Sequence, residues 1–205
     1  MPRVREFFPT LIHQAPLGPG AAARNRELLR DAYRIREHDA PGRKWSRRSY
    51  PGGYTSYGSL DQLHRFSSAF DALRVRIDRH TRAFARALHW DLRGEKLVMT
   101  DCWLNIMPPG CAHSFHLHPQ AVLSGTYYVR VPPGAPGLKV EDPRLSRLMA
   151  APMRAAHAPE KFRPHVTLAA RAGEVILFES WLRHEVPANA ARSDRVSISF
   201  NYHRV

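Results

Sequence analysis

The residues best suited to chemistry lie in the segment 113–119, which reads His-Ser-Phe-His-Leu-His-Pro. His116 and His118 are two positions apart, and residues at this spacing in an extended strand project to the same face. Two imidazoles on one face can bind one metal ion, and His184 can arrive from a distant strand as a third ligand. Three nitrogen ligands on one side of a metal leave positions open for substrates. The pattern therefore predicts a metal site at His116, His118 and His184.

A candidate anion clamp follows the third histidine, at Arg195 and Ser197. An antiparallel hairpin around the loop 189–194 would place both residues on the same sheet face as His184. Arg195 would then lie about 13 Å from the level of His184, at ~3.3 Å per residue. This spacing suits a small dicarboxylate with one end on the metal, because a guanidinium can bind a carboxylate in two places and the hydroxyl of Ser197 adds a third donor.

Several residues have two open interpretations. Arg195 could instead pair with a surface carboxylate, at Asp194 or Glu185. A single histidine on a strand is more often a hydrogen-bonded surface residue than a ligand, whereas three within six residues favour a metal site. Tyr128 and Asn105 are expected to contact the co-substrate, or else to pack and to bond across the strands. His113 is expected to contact the substrate or to support a metal ligand. Tyr54 and Tyr57 either shape the substrate mouth or anchor the loop.

The surrounding pattern predicts a helical first part, residues 1–93, and a strand-rich core, residues 94–205. Apolar residues at helical spacing predict helices over 21–35 and 66–90, separated by a Gly- and Pro-rich loop over 39–60, and an edge strand is expected within 3–16. Residues 142–164 are expected to form an irregular insert. Alternating patterns predict seven strands, at 97–107, 122–131, 138–141, 166–169, 174–179, 184–186 and 195–202. Strands without intervening helices predict a sandwich or jelly roll.

Composition narrows the class of protein. A chain of 205 residues with 43% hydrophobic content is expected to form one domain, 1–205. The sequence shows neither an apolar run of membrane-spanning length nor a secretory leader, which predicts a cytoplasmic protein. Two cysteines are too few for a disulfide framework, so two reduced thiols are expected. The net charge of +13 comes from dispersed arginines rather than one basic block, which argues against nucleic-acid binding.

The order of these motifs resembles the iron(II) and 2-oxoglutarate-dependent oxygenases, and within them a bacterial group of 2-oxoglutarate/Fe(II) oxygenases. The resemblance covers most of the chain, from Phe-Phe-Pro at 7–9 to Asn201. Its motifs are the His-x-His pair, Ser-Gly-Thr-Tyr-Tyr at 124–128, Asp-Pro-Arg at 142–144, the stretch from Gly173 to His184, and Arg-x-Ser at 195–197.

This resemblance implies a mainly β fold, a double-stranded β-helix with N-terminal helices packed on the major sheet. It also implies Fe(II) on the three histidines and 2-oxoglutarate held by Arg195 and Ser197. The implied reaction is hydroxylation of a C–H bond in a small-molecule or peptide substrate, with release of succinate and carbon dioxide. Separately, an arginine-rich rim of the cavity would favour an anionic substrate. The chain departs from the family at His118, where most members have Asp or Glu. Such a site also suits a cupin-like metalloprotein that does not use 2-oxoglutarate, or a silent interaction protein.

Overall fold

The computed structural model describes residues 3–205. Within this range four α-helices precede most of the strands: α1 (Ala21–His38), α2 (Ala40–Ser49), α3 (Leu63–Phe66) and α4 (Ser68–Ala87). None of the helices in the described range is long and apolar enough to cross a membrane.

Ten strands complete the described part of the chain. They are β1 (Ile12–Pro16), β2 (Tyr54–Thr55), β3 (Leu97–Met107), β4 (His113–His116), β5 (Leu123–Arg130), β6 (Leu138–Glu141), β7 (His165–Leu168), β8 (Glu174–Glu179), β9 (His184–Val186) and β10 (Arg195–Arg204). The segment between β6 and β7 is irregular and holds two short 3-10 helices, Leu145–Arg147 and Glu160–Phe162, as expected for this insert.

The strands form two antiparallel sheets. The major sheet has the order β1-β8-β5-β10-β3-β2, and the minor sheet has the order β4-β9-β6-β7. Consecutive strands repeatedly change sheet, which is the topology of a double-stranded β-helix, or jelly roll. The predicted fold class is confirmed.

The N-terminal helices cover the outer face of the major sheet. On β10 the alternate residues Val196, Ile198 and Phe200 are buried in one cluster with Leu73 and Ile77 of α4. Because successive strand residues point to opposite faces, the intervening residues of β10 point away from the helices, towards the minor sheet. The predicted packing of this apolar face under the helices is confirmed.

The prediction of a loop over 39–60 is wrong for the first half of this range, which forms the helix α2. Asp39 precedes the helix, and its Oδ1 accepts a hydrogen bond from the amide of Gly42 at 2.9 Å. Proline is well tolerated in the first helical turn, where its missing amide hydrogen is not needed. The Ala-Pro-Gly sequence at 40–42 is therefore a helix start rather than a loop signal.

Other boundaries differ less from the prediction. The helix expected over 66–90 is divided into α3 and α4 by Ser67, which has extended backbone angles. Neither β2 nor β4, of two and four residues, was among the seven predicted strands. The edge strand expected within 3–16 is β1, which lies at the C-terminal end of that range.

Candidate metal and anion site

Three histidines meet between the two sheets. His116 is the last residue of β4 and His184 the first of β9, and these two residues are paired across the minor sheet. One potential ligand atom from each of His116, His118 and His184 lies within 4.8 Å of the others. The structure therefore brings together the three residues that the sequence selected as candidate ligands.

The route by which His118 reaches the group differs from the prediction. Strand β4 ends at His116, and the register shifts between His113 and His116, so the i, i+2 rule of a continuous strand does not apply. His118 lies beyond the strand end, where its amide donates to the carbonyl of Ser180 at 3.0 Å. A turn held by this backbone bond thus brings the ring to the site.

Two of the three imidazoles are held by backbone carbonyls. Nδ1 of His116 is 2.8 Å from the carbonyl of Ser114, and Nδ1 of His184 is 2.8 Å from the carbonyl of Leu182. A carbonyl can only accept, so each Nδ1 carries the proton and each Nε2 keeps a lone pair for a metal. Among residues 3–205 the ring of His118 has no such hydrogen bond.

Burial favours the neutral form of these rings. Burial, with a smaller contribution from the neighbouring imidazoles, lowers the pKa of His184 to about 3 and that of His118 to about 4. Burial also lowers the pKa of His116. Because a metal binds the neutral imidazole, the donor set fits a divalent transition metal near neutral pH.

His113 lies beside this group without being one of the three. Its ring stacks on that of His116 with centroids 4.1 Å apart, and it meets the ring of Tyr50 edge-on at 5.3 Å. Burial and the nearby imidazoles lower the pKa of His113 to about 3. Its side chain lines the cleft, so it packs behind one of the candidate ligands and also faces the interior.

Arg195 reaches the cleft from the opposite sheet. The predicted hairpin is wrong, because β9 pairs with β4 and β6, whereas β10 pairs with β3 and β5. His184 and Arg195 therefore lie on different sheets and line one cleft from two sides. The separation of about 13 Å between Arg195 and the level of His184, which was counted along one sheet, therefore does not apply.

The guanidinium of Arg195 is buried and only partly satisfied. The residue is 3% exposed; its Nε donates to the carbonyl of Pro136 at 3.1 Å, and its Nη1 donates to Oγ of Ser197 at 3.3 Å. Neither acceptor carries a negative charge. A buried cation with neutral acceptors alone is costly, and an anion bound in the cleft would compensate it.

The alternative ion-pair partners of Arg195 are occupied elsewhere. Asp194 accepts a hydrogen bond from the hydroxyl of Tyr33 at 2.9 Å, and Glu185 accepts one from Lys139 at 2.8 Å. Across residues 3–205 no carboxylate lies within ion-pair distance of Arg195. The structure thus disfavours the surface ion-pair interpretation.

Tyr128 and Asn105 flank Ser197 on the neighbouring strands. Ser197 is the register partner of Tyr128 on β5 and of Asn105 on β3. The guanidinium of Arg195 lies 5.0 Å from the ring centroid of Tyr128, whose buried hydroxyl has no hydrogen-bond partner among the described residues. Asn105 lines the cleft, and its Nδ2 donates to Oγ of Ser199 at 3.0 Å, so it also makes the cross-strand bond considered as an alternative.

The two tyrosines of the Gly-rich loop differ in position. Tyr54 is 4% exposed and its hydroxyl donates to Oδ2 of Asp39 at 2.8 Å, so it anchors the loop, and the predicted substrate contact is wrong for this residue. Tyr57 is half-exposed, and its ring packs edge-on against Trp103 at 5.1 Å. Trp103 lines the cleft and lies 5.8 Å from the ring of His118, so Tyr57 packs against a residue of the cleft wall.

Several residues of the cleft wall were missed as site residues. Trp103 could have been found, because it shares a strand face with Asn105 two positions later. Thr126 and Ser199 had a signal too, because they share strand faces with Tyr128 and Ser197. The remaining residues are equally consistent with the core by residue type; they are Tyr50, Gly125, Leu138, Phe178 and Val186. The thiol of Cys111, free and buried as Cys102 is, packs with Tyr50 beside the site.

The fold and the site together define a double-stranded β-helix protein in which three imidazoles that could hold a metal ion share a cleft with a buried guanidinium. Residues 101–201 match the family described as "Putative 2OG-Fe(II) oxygenase". This strand-rich part of the chain is thus similar to the 2OG-Fe(II) oxygenase family, as the sequence resemblance indicated. No curated protein matches the chain.

Solved structures with the same fold are distant in sequence. A Pseudomonas putida prolyl-4-hydroxylase is 18% identical, with 96% of this chain and 94% of that chain covered and a TM-score of 0.59. The epimerase SnoN from nogalamycin biosynthesis is 16% identical, with 94% and 77% covered and a TM-score of 0.63. HygX from Streptomyces hygroscopicus, solved with nickel and 2-oxoglutarate bound, is 12% identical, with 95% and 83% covered and a TM-score of 0.61. At such identities these comparisons show the fold alone.

Proposed function

We propose that this protein is an Fe(II)- and 2-oxoglutarate-dependent dioxygenase that hydroxylates a C–H bond of its substrate. One observation carries the proposal: the three-histidine group and the buried, carboxylate-free guanidinium of Arg195 line the same cleft. A metal site alone is common to many proteins. A metal site that shares a cleft with the unneutralised guanidinium of Arg195 suits 2-oxoglutarate. This co-substrate has a chelating keto acid at one end and a carboxylate at the other.

In this proposal the Nε2 atoms of His116 and His184, together with a ring nitrogen of His118, hold Fe(II). When bound, the metal and 2-oxoglutarate supply the oxidising chemistry with oxygen, and the co-substrate leaves as succinate and carbon dioxide. The hydrogen bonds of His116 and His184 to backbone carbonyls would fix the orientation of these two rings as ligands.

The far carboxylate of 2-oxoglutarate is received by groups of the major sheet. Arg195 neutralises its charge, and the hydroxyls of Ser197 and Tyr128 donate to its oxygens. The buried Tyr128 hydroxyl, which has no partner in the described chain, would gain one in this way. Asn105 stays bonded to Ser199 and shapes the wall between the two ends.

The substrate is a small molecule or a peptide that enters past Tyr57 and Trp103, with His113 facing it from the minor sheet. An anionic substrate fits the charge of the site. With three neutral ligands a divalent metal keeps its full charge, whereas a carboxylate ligand would reduce it by one unit. Free, buried thiols at Cys102 and Cys111 suit the reducing cytoplasm.

Binding and turnover of 2-oxoglutarate test the proposal. Protein loaded with Ni(II) should bind 2-oxoglutarate by calorimetry, and Fe(II)-loaded protein should release succinate from it. Arg195→Gln should weaken 2-oxoglutarate binding by at least about tenfold, because it removes a charge-assisted contact, while the metal still binds. Arg192→Gln, an exposed neighbour, is the matched control and should change neither quantity.

A cupin-like metalloprotein without 2-oxoglutarate is the second candidate. The observation that favours it is His118, a neutral ligand where most of the oxygenase family has a carboxylate. The same experiment separates the two. Metal binding without any binding of 2-oxoglutarate, or with binding that ignores Arg195→Gln, would reject the oxygenase and favour the cupin-like protein.

A further inference from the structure

His118 depends on its main chain for its position. Its ring packs against Trp103 but makes no side-chain hydrogen bond to residues 3–205. Its amide donates to the carbonyl of Ser180 at 3.0 Å, and its carbonyl accepts from the amide of Ala121 at 3.2 Å. Ser180 belongs to the turn between β8 and β9. Whatever fixes this turn therefore also limits where the ring of His118 can lie.

Ser180 is fixed at three points. Its carbonyl accepts from His118, and its amide donates to the carbonyl of Val122 at 3.2 Å. Its hydroxyl lies 2.7 Å from the hydroxyl of Ser124 on β5. Both serines are only 1% exposed. Because a buried hydroxyl without a partner is unfavourable, this contact binds the turn to the major sheet.

The hydrogen bonds of these buried side chains run in one direction. The hydroxyl of Ser124 donates to Oδ1 of Asn201 on β10 at 2.8 Å. A hydroxyl has one proton, so Ser124 accepts from Ser180 in the other bond. The series thus runs from the turn through β5 to β10, which are neighbouring strands of the major sheet. Connected hydrogen bonds of this kind strengthen one another and favour a single arrangement.

Asn201 lies on the cleft side of β10. Alternate residues of a strand share a face, and Ser197 and Ser199, which precede it on that face, line the cleft. We propose that Ser180, Ser124 and Asn201 are positioning residues that hold the ring of His118 in the group of candidate metal ligands. The inference rests on the metal site of the proposed function, but it does not depend on 2-oxoglutarate.

The affinity of the protein for Ni(II) tests this role. Ser180→Ala should weaken Ni(II) binding about fivefold, because it acts one step further out than a direct contact to a ligand, for which about tenfold or more is typical. Ser124→Ala removes the middle hydroxyl and should cause a similar loss. Ser46→Ala is the matched control, since this buried hydroxyl bonds the backbone of Thr55 instead, and it should leave the affinity unchanged. Calorimetry in competition with a chelator measures all three.

A double-mutant cycle separates positioning from a general loss of stability. In the His118→Ala background, Ser180→Ala should have no further effect on Ni(II) affinity, because the ring through which it acts is gone. Hydrogen exchange of the His118 amide in metal-free protein is a second readout, and it should be faster in Ser180→Ala than in the wild type.

Three results would overturn the positioning role while leaving the metal site intact. They are an unchanged Ni(II) affinity in Ser180→Ala, a loss of the same size in the His118→Ala background, and unchanged exchange of the His118 amide. Wild-type protein that binds no Ni(II) would instead overturn both the positioning role and the proposed function. Binding of 2-oxoglutarate enters none of these measurements.

Discussion

The three candidate ligands are not equivalent in how the protein holds them. His116 and His184 each donate from Nδ1 to a backbone carbonyl, whereas His118 makes no side-chain hydrogen bond to residues 3–205. Such outer contacts fix the orientation and raise the basicity of a ligating imidazole. Of the three candidate ligands, His118 is thus the one whose ring is held least firmly.

This difference leads to a prediction for metal affinity. His116→Ala and His184→Ala should each weaken Ni(II) binding by about 100-fold or more, whereas His118→Ala should weaken it by only about tenfold. The measurement is calorimetry in competition with a chelator. Thermal unfolding of the metal-free variants serves as the control for folding. Equal losses in all three variants would show that the outer contacts do not decide ligand strength.

At the scale of elements, Asp39 joins the end of α1 to α2 and to the loop beside the site. Its Oδ1 accepts from the amide of Gly42, and its Oδ2 accepts from the hydroxyls of Tyr54 and Ser59. A single buried carboxylate therefore caps a helix and fixes the segment that carries Tyr57. This arrangement gives the Gly-rich loop a defined position beside the cleft.

Removal of this carboxylate should be costly. Asp39→Ala should lower the free energy of unfolding by about 3 kcal/mol, from the lost cap and the loss of hydrogen bonds to a buried charge. Tyr54→Phe, which removes only one of the donors, should cost about 1 kcal/mol. Urea denaturation measures both. A cost for Asp39→Ala no larger than that of Tyr54→Phe would mean that the loop is held by other contacts.

At the scale of the whole molecule, the facing sheets bury several histidines in neutral form. Burial is the main reason why the pKa of His113 and that of His184 are each lowered to about 3, and that of His118 to about 4. Burial also lowers the pKa of His13 on β1 and of His80 on α4, whose rings share a hydrogen bond. These groups have an ordinary pKa of 6.5.

Stability should therefore depend on pH in a defined direction. Below about pH 6.5 the unfolded chain binds protons at these histidines that the folded protein does not, so the free energy of unfolding of metal-free protein should fall as pH decreases from about 6.5 towards 4. Urea denaturation at a series of pH values measures this fall. His113→Phe should reduce the slope. A flat profile across this range would contradict neutral burial of the histidines.

The local pattern of the chain already determined much of this protein. The bounds of β3, β6, β8 and β9 follow from alternation and turn residues. The choice of the three histidines follows from residue type, although His118 reaches the group by a turn and not by strand spacing. Alternation also gave the correct faces of β10, because the direction of a strand side chain is a local property. The family resemblance rested on these same motifs.

The tertiary structure alone decided which strands pair and what meets across the cleft. Strands β9 and β10 are consecutive but lie in different sheets, so Arg195 faces the histidines from the opposite wall instead of lying beside them. It also decided that His118 arrives by a turn and that Tyr54 is an anchor. The physical reason is that periodicity fixes the face of each strand, whereas the choice of partner depends on packing between residues far apart in the chain.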